Sequence, residues 1–185
     1  MPKVSDEHLA ARRRQILDAA AACFARDGFH RTSMQDVVRA SGVSAGLVYR
    51  YFTGKDDMIA AIVTEWHDQR RILETGTPDE RVARYLDHLA GTAETARLSV
   101  QIWAEAVRDP RIRELARRNV DDPRTATADA LRTMPLAPGI EPDAFARILI
   151  AIYQGLVLQT AWDETLDTET YVRTVAAVLA AVTRP

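Results

Sequence analysis

The side chains able to do chemistry in this 185-residue chain gather in one stretch, residues 32–55: Thr-Ser-Met-Gln-Asp-Val-Val-Arg-Ala-Ser-Gly-Val-Ser-Ala-Gly-Leu-Val-Tyr-Arg-Tyr-Phe-Thr-Gly-Lys. Its hydroxyls (Ser33, Ser44, Tyr49) and cations (Arg50, Lys55) suit phosphate oxygens. Ala45 and Gly46 are small enough to let a helix approach base edges. Bond-making chemistry finds no comparable support. His8, His30, His67 and His88 are scattered, and no His/Cys/Asp/Glu set has zinc spacing. Trp66–His67–Asp68 are neighbours on a helix and point in different directions. No Gly-x-Ser-x-Gly elbow or phosphate-cradling glycine loop is written into the chain. The sequence therefore predicts a binding protein with no catalytic residues, no metal and no cofactor.

Helices must position these groups, because apolar residues recur at three- and four-residue spacing and nowhere alternate as in a strand. Leu9, Arg13, Ile16, Ala20, Cys23 and Phe24 mark one face of a first helix that Gly28 ends. Thr32 and Gln35 predict a capping box for a second helix ending at Ser41–Gly42. Ser44 caps a third helix through about Tyr51, and a fourth runs from Lys55 toward Glu74. Gly42 supplies the positive φ of the tight turn between the second and third helices. Val37, Val38, Val43, Leu47 and Val48 then face inward beneath Phe24 and Phe29. Ala45, Gly46, Tyr49 and Arg50 are left outward on the third helix. This is the arrangement of a helix-turn-helix whose second helix enters a major groove. A compact three-helix subdomain with an exposed tyrosine pair is the plainer reading of the same pattern.

Thr77–Pro78–Glu80 predicts a restart. Further helices are expected at about 79–94, 96–108, 110–132, 143–162 and 168–183, with Pro123 kinking or splitting its helix. The fold class is all-α with about nine helices. The expected division is into residues 1–55, a helix-turn-helix DNA-binding domain, and 56–185, a ligand-binding and dimerisation domain.

Charge agrees with that division. Nine cations face five anions through Lys55, net +4; beyond it 15 face 21, net −6. Only the first third is suited to a polyanion. Arg12–Arg13–Arg14 either add phosphate contacts or form a solvated stripe. With 47% hydrophobic and 27% charged residues the composition is that of a globular protein. Asp6, Glu7 and the arginine triplet precede the first apolar stretch, which argues against a secretory leader. Uninterrupted apolar runs, Ile148 to Tyr153 among them, are far short of the ~18 residues of a membrane span. One cysteine cannot form an internal disulfide, which fits a reducing cytoplasm and a buried, inert thiol.

In the body, Ile148 to Leu158 is apolar almost all round its helix and must be covered on every side. The last helix adds Val172, Val175, Val178, Leu179 and Val182. Pairing these helices about a two-fold axis gives a homodimer interface built on Ile152, Leu156, Gln159, Val172, Val175, Leu179 and Val182. Trp103, Val107, Leu131, Met134, Leu149, Tyr153 and Trp162 suit an apolar cavity with a few polar tips, or ordinary core. Glu105 and Asp109, if turned inward, favour a cationic amphiphile.

The string from Ile16 to Ile59 resembles the tetracycline-repressor (TetR) family of bacterial transcription regulators. The likeness rests on an Ile-Leu-x-Ala-Ala helix, Phe24-x-x-x-Gly28-Phe29, Thr32-Ser33, Gly42-Val43-Ser44-x-Gly46, Tyr49-Arg50-Tyr51-Phe52 and Lys55. It implies a cytoplasmic homodimeric repressor on a palindromic double-stranded operator, released by a small apolar or amphiphilic effector. Its DNA-facing set maps onto Ser33, Ser44, Ala45, Gly46, Tyr49, Tyr51 and Lys55, with Arg50 beside them. Ala45 stands where many relatives carry a longer polar or cationic residue, so base reading shifts toward Arg50, Gly46 and DNA shape. The fourth helix would be the lever. The competing reading is a helical dimer acting through a protein partner, its helix-turn-helix vestigial.

Overall fold

A computed structural model describes residues 6–73 and 92–183. Eight α-helices and no strand are found among them: α1 (Asp6–Asp27), α2 (Met34–Ser41), α3 (Ala45–Tyr51), α4 (Lys55–Leu73), α5 (Ala93–Arg108), α6 (Pro110–Arg132), α7 (Pro142–Trp162) and α8 (Thr168–Val182). The helix expected over 79–94, with its Thr77–Pro78–Glu80 cap, lies outside the described residues.

Local signals place the first three helices. Gly28 (φ 84°) and Gly42 (φ 67°) take the left-handed conformation that ends α1 and α2. The cap of α2 is shifted by one residue from the expected one. Ser33, not Thr32, is the N-cap, and Asp36 closes the box: Asp36 N donates to Ser33 Oγ (3.2 Å) and Ser33 N to Asp36 Oδ2 (2.9 Å). Two Ser/Thr-x-x-polar patterns overlap here. Thr32 is buried, with its hydroxyl donating to the Gly28 carbonyl (2.9 Å) and so committed to the preceding turn.

One apolar cluster crosses the boundary drawn at residue 55. It joins Ile16, Phe24, Phe29, Val37, Val48, Met58 and Ile59 to Leu98, Ile102 and Ala106 of α5 and Ile112 of α6. A second cluster packs Ala128, Leu131, Phe145, Leu149, Leu156, Val175 and Leu179. Pro123 does not split α6, which runs unbroken from Pro110 to Arg132.

α7 corrects the expectation about span length. Counted as a window rather than an unbroken run, Pro142–Trp162 is long and apolar enough to cross a membrane, with a mean hydropathy of 1.4. Phe145, Ala146, Leu149, Leu156 and Val157 on it are nevertheless buried inside the chain.

The faces of α7 and α8 also differ from those expected. Leu156, Val175 and Leu179 are buried within the chain, and Ile152, Val172 and Val182 pack against the second cluster. Of the seven interface residues read from the sequence, Gln159 alone is exposed. The more apolar face of each helix has gone into the monomer core. What remains outside is a stripe of Ile148, Ala151, Leu158 and Trp162 on α7 and of Ala177, Val178 and Ala181 on α8.

Candidate nucleic-acid interface

α3 is held rigidly from behind. Val48 is fully buried, and Phe52 N donates to the Val48 carbonyl to close the helix. From α1, Gln15 Nε2 donates to the Ser41 carbonyl (2.7 Å), fixing the turn that sets the angle between α2 and α3. Outward, Ser44, Ala45, Gly46, Tyr49 and Arg50 are all exposed, Tyr49 at 53%. Ser44 begins α3 without a side-chain capping bond. A Cβ at Gly46 would meet nothing within 4 Å, so no packing inside the chain requires glycine there. These five groups form a face available to a partner. Small side chains lie at the helix start, with a phenol and a guanidinium one turn on.

The other three predicted DNA-facing residues are engaged within the chain. Ser33 Oγ belongs to the α2 capping box and donates to Asp36 Oδ2 at 2.6 Å. Tyr51 Oη donates to the Leu9 carbonyl (3.2 Å). Lys55 Nζ donates to the carbonyls of Phe29 (2.6 Å) and His30 (3.4 Å), and lies 4.6 Å from the centre of the Phe29 ring. An ammonium has three donors, so this bracing leaves Lys55 able to meet one further acceptor. The arginine triplet divides as well. Arg13 pairs with Glu65 (2.8 Å) and sits over the Phe52 ring, Arg12 donates to Gln15, and Arg14 is exposed.

Two carboxylates hold the frame in its charged form. Asp36 is drawn below the usual carboxylate range first by the Ser33 hydroxyl and then by the Ser33 N–H. Asp57 is lowered by the Thr53 hydroxyl and N–H, with Arg111 adding to the effect. Asp57 thereby ties the α3–α4 turn to α6, its partner Arg111 lying at 3.1 Å.

Sequence reasoning missed a second tie. Glu105 of α5 is buried to 8% exposure and meets His30 Nε2 at 2.9 Å. Glu105 is thus turned inward, but onto His30, and its carboxylate belongs to the junction between the helix-turn-helix and the body. Asp109 is likewise occupied, as the N-cap of α6, accepting from the N–H groups of Arg111 and Ile112. No spacing rule finds the 30–105 pair, since 75 positions separate its members.

The expected cavity residues do not converge as a set. Leu131 and Leu149 are buried in the second cluster, with Tyr153 against it. Trp103 and Met134 are half-buried. Val107 (75% exposed) and Trp162 (67%) stand on the surface, which removes them from any enclosed site within one chain. Among the described residues no group of three or more His, Cys, Asp or Glu could hold a metal ion.

Comparison with known proteins places the chain in context. Residues 16–62 match the family described as "Bacterial regulatory proteins, tetR family", and residues 78–184 match "BetI-type transcriptional repressor, C-terminal". The HTH-type transcriptional repressor Rv1474c of Mycobacterium tuberculosis is 34% identical over 171 residues, covering 85% of this chain and 84% of that protein. The HTH-type transcriptional regulator BetI 2 of Chromohalobacter salexigens is 28% identical, covering 87% and 82%. Among solved structures, a putative transcriptional regulator from Saccharomonospora viridis in complex with choline superposes with a TM-score of 0.79 at 22% identity, covering 95% of this chain and all of that one. Salmonella enterica GusR superposes with a TM-score of 0.74 at 23% identity, covering 98% and 99%.

Proposed function

The chain belongs to the tetR family of bacterial regulatory proteins, and on that premise we propose that it is a homodimeric repressor whose α3 enters the major groove of a palindromic operator. The observation that carries this reading is the outward face of α3. Ser44, Ala45, Gly46, Tyr49 and Arg50 are exposed on a helix whose opposite side is locked into the core. Tyr49 and Ser44 supply phosphate donors, Gly46 permits close approach, Ala45 offers a methyl to thymine, and Arg50 supplies a fork for guanine or phosphate. Ser33, Tyr51 and Lys55 set the pose of α3, Lys55 with one donor left for the backbone.

Two copies must set their recognition helices about 34–36 Å apart, or a multiple of it, to reach successive major grooves. The exposed stripe of α7 and α8 is the surface suited to that pairing, in place of the faces spent on the monomer core. An effector lodged in the body acts by its differential affinity for two arrangements of the DNA-binding helices. Trp103, Leu131, Met134, Leu149 and Tyr153 are its candidate lining. The choline bound to the Saccharomonospora viridis neighbour makes a small cation with an apolar shell the first effector class to screen.

The test is footprinting on the DNA upstream of the protein's own gene, with wild type and Tyr49→Ala side by side. The reading predicts a protected palindrome that Tyr49→Ala loses while remaining a dimer by size-exclusion chromatography. Equal protection by both proteins would contradict it.

A further inference from the structure

We propose that the cleft between α4 and α6 is a second small-molecule site, taking an organic anion with an apolar body. The cleft has a volume of about 580 Å³, within the range of small-molecule sites. It arises because the side of α4 turned to it carries Asp57, Ala60, Ala61 and Thr64. That is i, i+3, i+4 and i+7 spacing with three small side chains. Thr64 spends its hydroxyl on the Ala60 carbonyl (2.8 Å) and so adds no competing donor. Leu115 and Phe52 complete an apolar floor.

Three guanidiniums stand on the lining: Arg13 from α1, and Arg111 and Arg118 from α6. Each has five donors. Their ion-pair partners are Glu65 for Arg13 (2.8 Å), Asp57 for Arg111 (3.1 Å) and Glu114 for Arg118 (3.5 Å). Each guanidinium is thus matched by one carboxylate, so an anion enters by exchange with one of these partners and not by meeting a spare cation. The Arg118–Glu114 pair is an exposed one-turn contact, the kind that contributes least, so an incoming carboxylate displaces Glu114 at little cost. A planar carboxylate or sulfonate meets an arginine fork in two parallel hydrogen bonds, while its apolar body covers Ala60, Ala61 and Leu115.

None of the candidate effector-lining residues of the body lies on this cleft, so the two sites are separate. The walls come from the α1–α4 unit on one side and α6 on the other, and an occupant touches both. This inference stands whether or not the operator reading holds.

The experiment is methyl-detected NMR of the full chain with labelled alanine, threonine and leucine methyls, titrated with naphthoate and, separately, with the uncharged naphthamide. Saturable shifts at Ala60, Ala61, Thr64 and Leu115 are expected with naphthoate and not with naphthamide. Arg118→Gln, an exposed replacement, weakens naphthoate binding about tenfold through loss of a charged fork; Ala61→Trp, which fills the floor, abolishes it. Naphthoate shifts confined to Leu131 and Leu149, equal binding of naphthamide, or unchanged affinity in Arg118→Gln would each overturn the proposal.

Discussion

Truncating Ile102 to alanine tests whether the helix-turn-helix and the body are one cooperative unit. Ile102 belongs to α5, yet its 2% exposed side chain sits in the cluster that contains Phe24, Phe29, Val48 and Met58. Removing three carbons from such a site leaves a cavity and costs about 2–5 kcal/mol. For a chain of 185 residues each kcal/mol moves Tm by about 2–4 °C, so the expected loss is roughly 4–20 °C. Trp66 packs against the same cluster from α4 and reports the DNA-binding side when Trp103 and Trp162 are replaced by phenylalanine. Melting is followed by Trp66 fluorescence and by far-UV circular dichroism, at one protein concentration because dimerisation shifts Tm. Both signals should move down together in one transition. If Trp66 kept the parent Tm while the helical signal split in two, the shared cluster would not couple the halves.

Four further outcomes follow from particular residues. Gly42→Ala should cost about 1–2 kcal/mol in urea melts, since φ is 67° and no atom lies within 4 Å to add a steric term. Gly46→Ala should leave stability unchanged or raised by up to about 1 kcal/mol, while weakening operator binding measured by mobility shift. Asp27, Asp36, Asp57, Asp163 and Asp167 are all lowered from 3.8 in the folded chain. The stability they give is thus complete above about pH 5 and is lost as pH falls through the folded values; urea midpoints across that range should show it, with a shallower fall in Asp36→Asn. Val178→Glu, on the exposed stripe of α8 (48% exposed), should give a monomer of unchanged helical content by sedimentation velocity. A persistent dimer would place the interface elsewhere.

The DNA-binding segment was legible because its determinants are local. Gly28 and Gly42 mark ends that only a left-handed residue makes, and the valines of α2 and α3 recur at helical spacing. The α2 cap slipped by one residue because Thr32–Gln35 and Ser33–Asp36 satisfy the same pattern, and burial of Thr32 decides between them. Long-range ties were not legible. His30–Glu105 and Arg13–Glu65 join residues that no periodicity connects, and they engage within the chain two side chains whose partners the sequence left open. Which faces of α7 and α8 the monomer core takes was not legible for a different reason. α8 carries two apolar faces, and composition favoured Val172, Val175, Leu179 and Val182, the larger set, which the monomer core takes first.

Fluorescence anisotropy of the purified protein on duplexes tiling its own upstream intergenic region, at about 50 and 200 mM salt, tests most directly whether α3 reads DNA. A saturable signal on one palindrome-containing tile is expected, weakened by orders of magnitude at the higher salt and lost in Tyr49→Ala. No binding at the lower salt on any duplex, or binding indifferent to salt and to Tyr49, would contradict the account.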